Sequence, residues 1–173
     1  MADELSNYLG AADQILDGGP CEVGVESTII DCTGDAPRIL RPGAVTVAMI
    51  EESTGLRVGD SAVVTGGSVD EKQIRVSGSL DSHYAPAAKV VLDQSPVAGQ
   101  GFIAMADVAT PDGVVRLAAP KSDEDFARVL YAALRAADEQ GLQTVIVQQP
   151  LGDGIAIAIR DRLKRAAHSG SQK

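Results

Sequence analysis

The stretch "SDEDFARVLYAALRAADEQG", Ser122 to Gly141, decides the fold class. Phe126, Val129, Leu130, Ala133, Leu134 and Ala137 recur every three to four residues, so they share one side of a helix. Ser122 stands where an N-cap belongs, and Asp123, Glu124 and Asp125 place negative charge beside the unpaired amides of the first turn. Gly141 supplies the stop. Around this helix lie four short apolar segments, Lys89 to Leu92, Gly101 to Ala106, Gly113 to Leu117 and Thr144 to Gln148, separated by Gly, Pro and Asp turns. A last helix, Gly154 to His168, is expected to bury Ile155, Ile159 and Leu163 and to expose Arg160, Lys164 and Arg165, whose charge suits a helix C-terminus. Strands alternating with helices of this size predict a small, open, mostly parallel α/β sheet.

The chain ahead of this unit is less regular. Leu5, Leu9, Ala12 and Leu16 predict a short opening helix ended by Gly18 and Gly19. Val23 to Cys32 and Ile39-Leu40 predict strands around the turn Asp35 to Pro37, with Pro42-Gly43 stopping the second. Val45 to Glu52 fits helix or strand equally, and Val58 to Val64 is a weak strand. From Thr65 to about Ser82 the composition shifts to Gly, Ser, Asp, Glu and Lys, as in a linker or a long surface loop.

Composition narrows the function. The formal net charge is −9 with only 15 Lys and Arg in 173 residues, which argues against a surface built to neutralise the phosphates of a long nucleic acid. No apolar run approaches a membrane span, so a cytoplasmic setting is expected. Cys21 and Cys32 are too few for a disulfide scaffold and read as reduced, buried thiols. No residues have metal-ligand spacing; Asp31 and Asp35, beside turns, serve the turns.

Two residues stand out in "CEVGVESTIIDCTGDAPRILRPGA", Cys21 to Ala44. Ser27 can sit on a pleat with Glu26 facing water, or can offer its hydroxyl to a polar ligand at the strand edge. Arg41 precedes the rigid Pro42-Gly43 turn; it can form a rim salt bridge or hold a phosphate or carboxylate. His83 and Tyr84 in "SHYAP" can anchor the linker or lie over a ligand. Neither "GDSAVVTGG" nor "PLGDGIAIA" completes a nucleotide loop, and no G-x-S-x-G elbow is present.

With these motifs quoted, the chain resembles the YrdC/Sua5 family, the L-threonylcarbamoyladenylate synthases. Ile15 to Ala44 looks like the later part of the catalytic domain, "SGSLDSHYAP" like the linker that follows it, and "DEDFARVLYAALRAADEQG" with "GDGIAIAIRDRLKRAA" like helices of the C-terminal domain. The resemblance implies a partial YrdC-like twisted α/β domain over 1–64, a linker over 65–88, a small Rossmann-like open α/β domain over 89–168 and a flexible tail over 169–173. It further implies a nucleotidyltransferase that turns L-threonine, bicarbonate and ATP into threonylcarbamoyl-AMP and pyrophosphate for a tRNA modification, with Mg2+ in the complete enzyme. Carried over by motif, Ser27 and Tyr84 would bind substrate and Arg41 would bind ATP; no catalytic residue is assigned. Arg38, Arg41 and Arg57 are the only basic residues before Gly67, so the chain is expected to be the C-terminal portion of a synthase, inactive alone and lacking an N-terminal half. The alternative is a non-catalytic module that pairs with a separately encoded catalytic half or another protein.

Overall fold

The computed structural model describes residues 10, 12–14, 16, 18, 19, 21–59 and 86–169. Most of the expected opening helix, the linker segment 65–85 and the tail 170–173 lie outside the described residues.

The second unit is an all-parallel sheet of four strands: β3 (Lys89–Leu92), β4 (Gly101–Ile103), β5 (Val115–Ala118) and β6 (Thr144–Val147), in the order β3-β6-β4-β5. Helix α2 (Asp123–Glu139) connects β5 to β6, and α3 (Ile155–Ser169) follows β6. Strand pleating divides the side chains between two faces. Val90, Ile103, Val145 and Val147 meet Phe126, Leu130, Ala133 and Leu134 of α2 and Ile159 and Leu163 of α3 in the main core. Phe102, Ala104 and Ile146 form a smaller cluster with Val91, Val108 and Val114.

Arg116 serves that second cluster. Its guanidinium stacks on Phe102 at 4.9 Å from the ring centroid and donates to the carbonyls of Ala118, Val108, Ala104 and Met105 and to Thr110 Oγ1, at 2.7–3.0 Å. Five donors meet five acceptors, so one side chain fixes the loop between β4 and β5.

The local signals on α2 act as expected. Ser122 Oγ accepts from the Asp125 amide at 3.2 Å, and Gly141 lies at φ 66° beyond the C-terminus. Near that end Asp138 accepts from the amides of Ala87 and Ala88, both at 3.0 Å, which ties the entry of β3 to the helix.

The first unit contains an antiparallel pair, β1 (Ile29–Asp31) and β2 (Arg38–Arg41), with Ile29 opposite Arg41 and Asp31 opposite Arg38. The expected strand Val23 to Cys32 is thus paired only at its end, because β2 has just four residues. Asp31 closes the intervening turn: it accepts from the Thr33 amide and hydroxyl and pairs with Arg38 at 2.9 Å. These partners hold its carboxyl down, from the usual 3.8 to about 2. Val45 to Glu52 resolves as helix, α1 (Val47–Thr54), because Thr46 accepts from the Met49 amide and Gly55 takes the left-handed C-cap conformation at φ 69°. Of the weak strand at Val58, an isolated bridge between Arg38 and Gly59 is present among the described residues.

Cys21 and Cys32 are exposed, not buried. Both fall outside the pleated strands, Cys32 just past the end of β1, where no sheet face covers them. Hydrogen bonds from the Gly24 and Val23 amides pull the Cys21 thiol below its ordinary pKa.

Candidate functional site

The Pro42-Gly43 turn folds back onto the segment before β1. A Cβ on Gly43 would come within 2.4–2.5 Å of the backbone of Glu26, Ser27 and Thr28, so glycine is needed there for close approach. The Ala44 amide donates to the Glu26 carbonyl at 3.4 Å and Thr28 Oγ1 donates to the Val45 carbonyl at 2.6 Å. Two segments that the sequence separates by the Asp35 turn are thereby bound side by side.

Ser27 and Arg41 meet at this seam. Arg41 is 6% exposed, while Ser27 is open to solvent. Arg41 Nε and Nη2 donate to the Ser27 carbonyl at 3.1 and 2.9 Å, and Nη2 also donates to Ser27 Oγ at 3.0 Å. Arg41 Nη1 lies 3.5 Å from Glu26 Oε2. The arginine fork is therefore spent largely on fixing Ser27, with its positive charge directly behind an exposed hydroxyl. Because Ser27 Oγ accepts from Arg41, the hydroxyl proton is left to be donated elsewhere.

Glu26 does not face water as a solvated side chain. Its Oε2 also lies 2.8 Å from Nη2 of Arg162, a residue of α3 that is 6% exposed. Arg162 donates in addition to the Pro42 carbonyl at 3.3 Å and pairs with Asp161, which also pairs with Arg165. The expected basic face of the last helix omitted Arg162, yet a signal existed. It stands three residues after Ile159 and four before Ala166, on the stripe that enters the core.

The same seam packs against α2. Val25 belongs to the main core at 6% exposure, and a Cβ on Gly24 would lie 2.3 Å from Arg128 Cα and 2.4 Å from the Ala127 carbonyl oxygen. Gly24 also has φ 76°, so both its conformation and its neighbour demand glycine.

Tyr84 and His83 lie outside the described residues. Arg38 lies beside the turn and pairs with Asp31 across it. Among the described residues no group of three or more His, Cys, Asp or Glu side chains could hold a metal ion, and Asp31 is committed to Thr33 and Arg38. The described residues therefore do not by themselves build a Mg2+ site. No helix among the described residues is long and apolar enough to cross a membrane. An open groove of about 630 Å³ between β5 and α2, lined in part by Leu117, Pro120 and Val129, contains neither Ser27 nor Arg41.

Comparison with known proteins bears on both sides of this seam. Residues 45–168 match the family model described as threonylcarbamoyl-AMP synthase, C-terminal domain. The chain belongs to that family. Residues 1–43 match a second model, described as telomere recombination, whose name joins Sua5, YciO and YrdC. The threonylcarbamoyl-AMP synthase of Pyrococcus abyssi is 30% identical over 93% of this chain and 51% of its own length. That of Bacillus subtilis is 33% identical over 88% of this chain and 48% of its own. The crystal structure of P. abyssi Sua5 complexed with L-threonine superposes with a TM-score of 0.67 at 29% identity, covering 89% of this chain and 49% of that one. A second structure of the P. abyssi protein, with an adjacent His-Tyr pair replaced by alanines, gives 0.65 at 28% identity.

The chain spans about half the length of the curated relatives it matches. The expectation of a C-terminal portion alone, awaiting a missing N-terminal half as partner, is corrected. Both family models match, in order, and relatives align along 88–96% of the chain. In the threonylcarbamoyl-AMP synthase frame, Glu26, Ser27 and Arg41 belong to the first matched region and Arg162 to the second.

Proposed function

We propose that the chain acts as a nucleotidyltransferase in the synthesis of threonylcarbamoyl-AMP from L-threonine, bicarbonate and ATP, with release of pyrophosphate, in a cytoplasmic pathway of tRNA modification. The observation that carries this reading is the direct contact of Ser27 and Arg41 at the seam of a chain matched by both family models. The names and the L-threonine complex of the relatives support the substrate class.

The reaction requires an N-carboxylated threonine to attack the α-phosphate of ATP while pyrophosphate leaves. Negative charge grows on phosphoryl oxygens, and groups held in place before the reaction stabilise it without reorganising. Ser27 would donate its hydroxyl to the threonine or carbamate part of the ligand. Arg41, buried behind it, would supply positive potential toward the phosphate and keep Ser27 in register. A bidentate phosphate grip by Arg41 would first have to release the Ser27 carbonyl, so its charge is the larger contribution. Tyr84, beside His83, would complete the substrate contacts; the His-Tyr variant of the P. abyssi protein supports attention to this pair.

Calorimetric titration of the chain with ATP and with L-threonine tests the reading. Loss of a hydrogen bond to a charged group is worth about 1.5–3 kcal/mol, or roughly 10- to 100-fold in Kd. Ser27→Ala is expected to weaken L-threonine by that factor, and Arg41→Gln to weaken ATP. Titrations showing neither ligand bound, or both variants binding as tightly as the parent, would refute it.

A further inference from the structure

We propose that Arg162 is a positioning residue for the Ser27–Arg41 pair, so that the last helix sets the geometry of a ligand site built from the opposite end of the chain. The proposal deepens the reading given above and rests on it for the identity of the ligands. Arg162 grips both flanks of the pair. It holds Glu26, the residue before Ser27, at 2.8 Å, and the carbonyl of Pro42, the residue after Arg41, at 3.3 Å. A single guanidinium thus ties together the two segments whose register decides where Ser27 Oγ and Arg41 lie.

The charges point the same way. Arg41 and Arg162 share the one carboxylate oxygen of Glu26, the nearer contact being to Arg162. Removing Arg162 would leave Glu26 with Arg41 as its remaining cationic partner at this seam. The carboxylate would then move the 3.5 Å contact inward, drawing Arg41 Nη1 toward itself and neutralising the charge behind Ser27. Arg162 therefore keeps Arg41 aligned, and its potential directed at a ligand, by holding Glu26, which competes with ligand anions for it. Its burial makes this more than a surface pairing: both guanidiniums are 6% exposed, where charges are weakly screened and a lost partner is strongly felt. Arg162 Nε has no hydrogen-bond partner among the described residues, while its two terminal nitrogens are engaged with Glu26, Pro42 and Asp161.

The experiment follows the Arg41 side chain directly in the full chain. Its Nε–Hε resonance, identified by its loss in Arg41→Lys, is recorded in the parent, Arg162→Gln, Arg162→Lys and Glu26→Gln, alongside ATP titrations. In Arg162→Gln the resonance is expected to shift and its solvent exchange to rise at least 10-fold, with ATP affinity falling about 10-fold. Arg162→Lys should recover part of both effects, because an ammonium can still reach Glu26 but cannot hold Pro42 as well. Arg160→Gln removes the same charge from the same helix, where the side chain caps the Pro150 and Gly152 carbonyls, and should leave the Arg41 resonance unchanged. An Arg41 resonance indifferent to Arg162→Gln, or moved equally by Arg160→Gln, overturns the proposal. Should the parent bind no ATP, the functional reading fails, while the resonance still decides whether Arg162 controls Arg41. Should Arg162→Gln not fold, the lysine variant and Glu26→Gln decide on the same resonance.

Discussion

Replacing Gly24 by alanine should undock the Ser27 seam from α2, and a second glycine provides the reference. At Gly55, φ is 69° and nothing lies within 4 Å of an added Cβ, so Gly55→Ala reports the left-handed backbone cost alone, about 1 kcal/mol. At Gly24, φ is 76° and the added atom would lie 2.3 Å from Arg128 Cα. Ordinary contact there begins near 3.4 Å, so the seam must retreat from rigid helix backbone by about 1 Å. Such a gap forfeits a quarter to half of each dispersion contact around Val25 and stretches the 2.8 Å Glu26–Arg162 pair. Overpacking of this kind costs about 1–3 kcal/mol beyond the backbone cost, so the total for Gly24→Ala is about 3 kcal/mol. Native-state amide exchange measures the difference where it arises. Protection of residues 24–44 should fall about 30-fold further in Gly24→Ala than in Gly55→Ala, while β3 and β6 stay protected in both. Equal loss in the two variants would mean that the seam does not rest on α2, and the account of the site given above would fail with it.

Three other outcomes are expected. Arg116→Lys should lower stability by about 2–4 kcal/mol in chemical denaturation, because three ammonium donors cannot replace five guanidinium bonds to the loop between β4 and β5; a change under 0.5 kcal/mol, the size of an ordinary surface substitution, would refute that role. The Asp31 carboxyl should titrate near pH 2 by NMR, and Thr33→Val should raise that midpoint, since the Thr33 hydroxyl is its principal stabiliser. As the folded value lies below the unfolded 3.8, the turn's stabilisation is complete above that pH and is lost as pH falls through about 2; a midpoint near 3.8 contradicts the turn geometry. Cys21 should react with iodoacetamide faster in the native chain than in urea at pH 7, because the Val23 and Gly24 amides favour its thiolate only in the folded turn. Mass spectrometry of the Cys21 peptide reads the two rates, and a slower native rate would count against that geometry.

Much of the parallel unit was legible because its signals are local. The period of α2, its Ser122 cap and the short apolar segments each specify an element without knowledge of its neighbours. The direct contact of Ser27 with Arg41 was not legible: family resemblance gave each residue a ligand role, and nothing in spacing brings positions 27 and 41 together. What stayed hidden depends on distant partners. Gly24 reads as a turn glycine, but its second constraint comes from Ala127 and Arg128. Glu26 reads as solvated because its partner Arg162 arrives from α3. Arg162 itself sits on the apolar stripe, where periodicity reports burial and charge argues for exposure; the carboxylate across the seam settles the conflict in favour of burial. The cysteines were misplaced for a simpler reason: a thiol's frequent burial is an average, and both fall where no sheet covers them.

The clasp between Arg162 and Pro42 spans 120 positions of sequence. At a translation rate of roughly 5–20 residues per second, the ribosome adds the arginine about 6–24 s after the proline. During that interval the Ser27 region has no Arg162 to clasp it, so the contact that ties Glu26 to Pro42 forms only once α3 has been made. A chain stalled before α3 would carry Ser27 and Arg41 and still lack the guanidinium that ties their two flanks together.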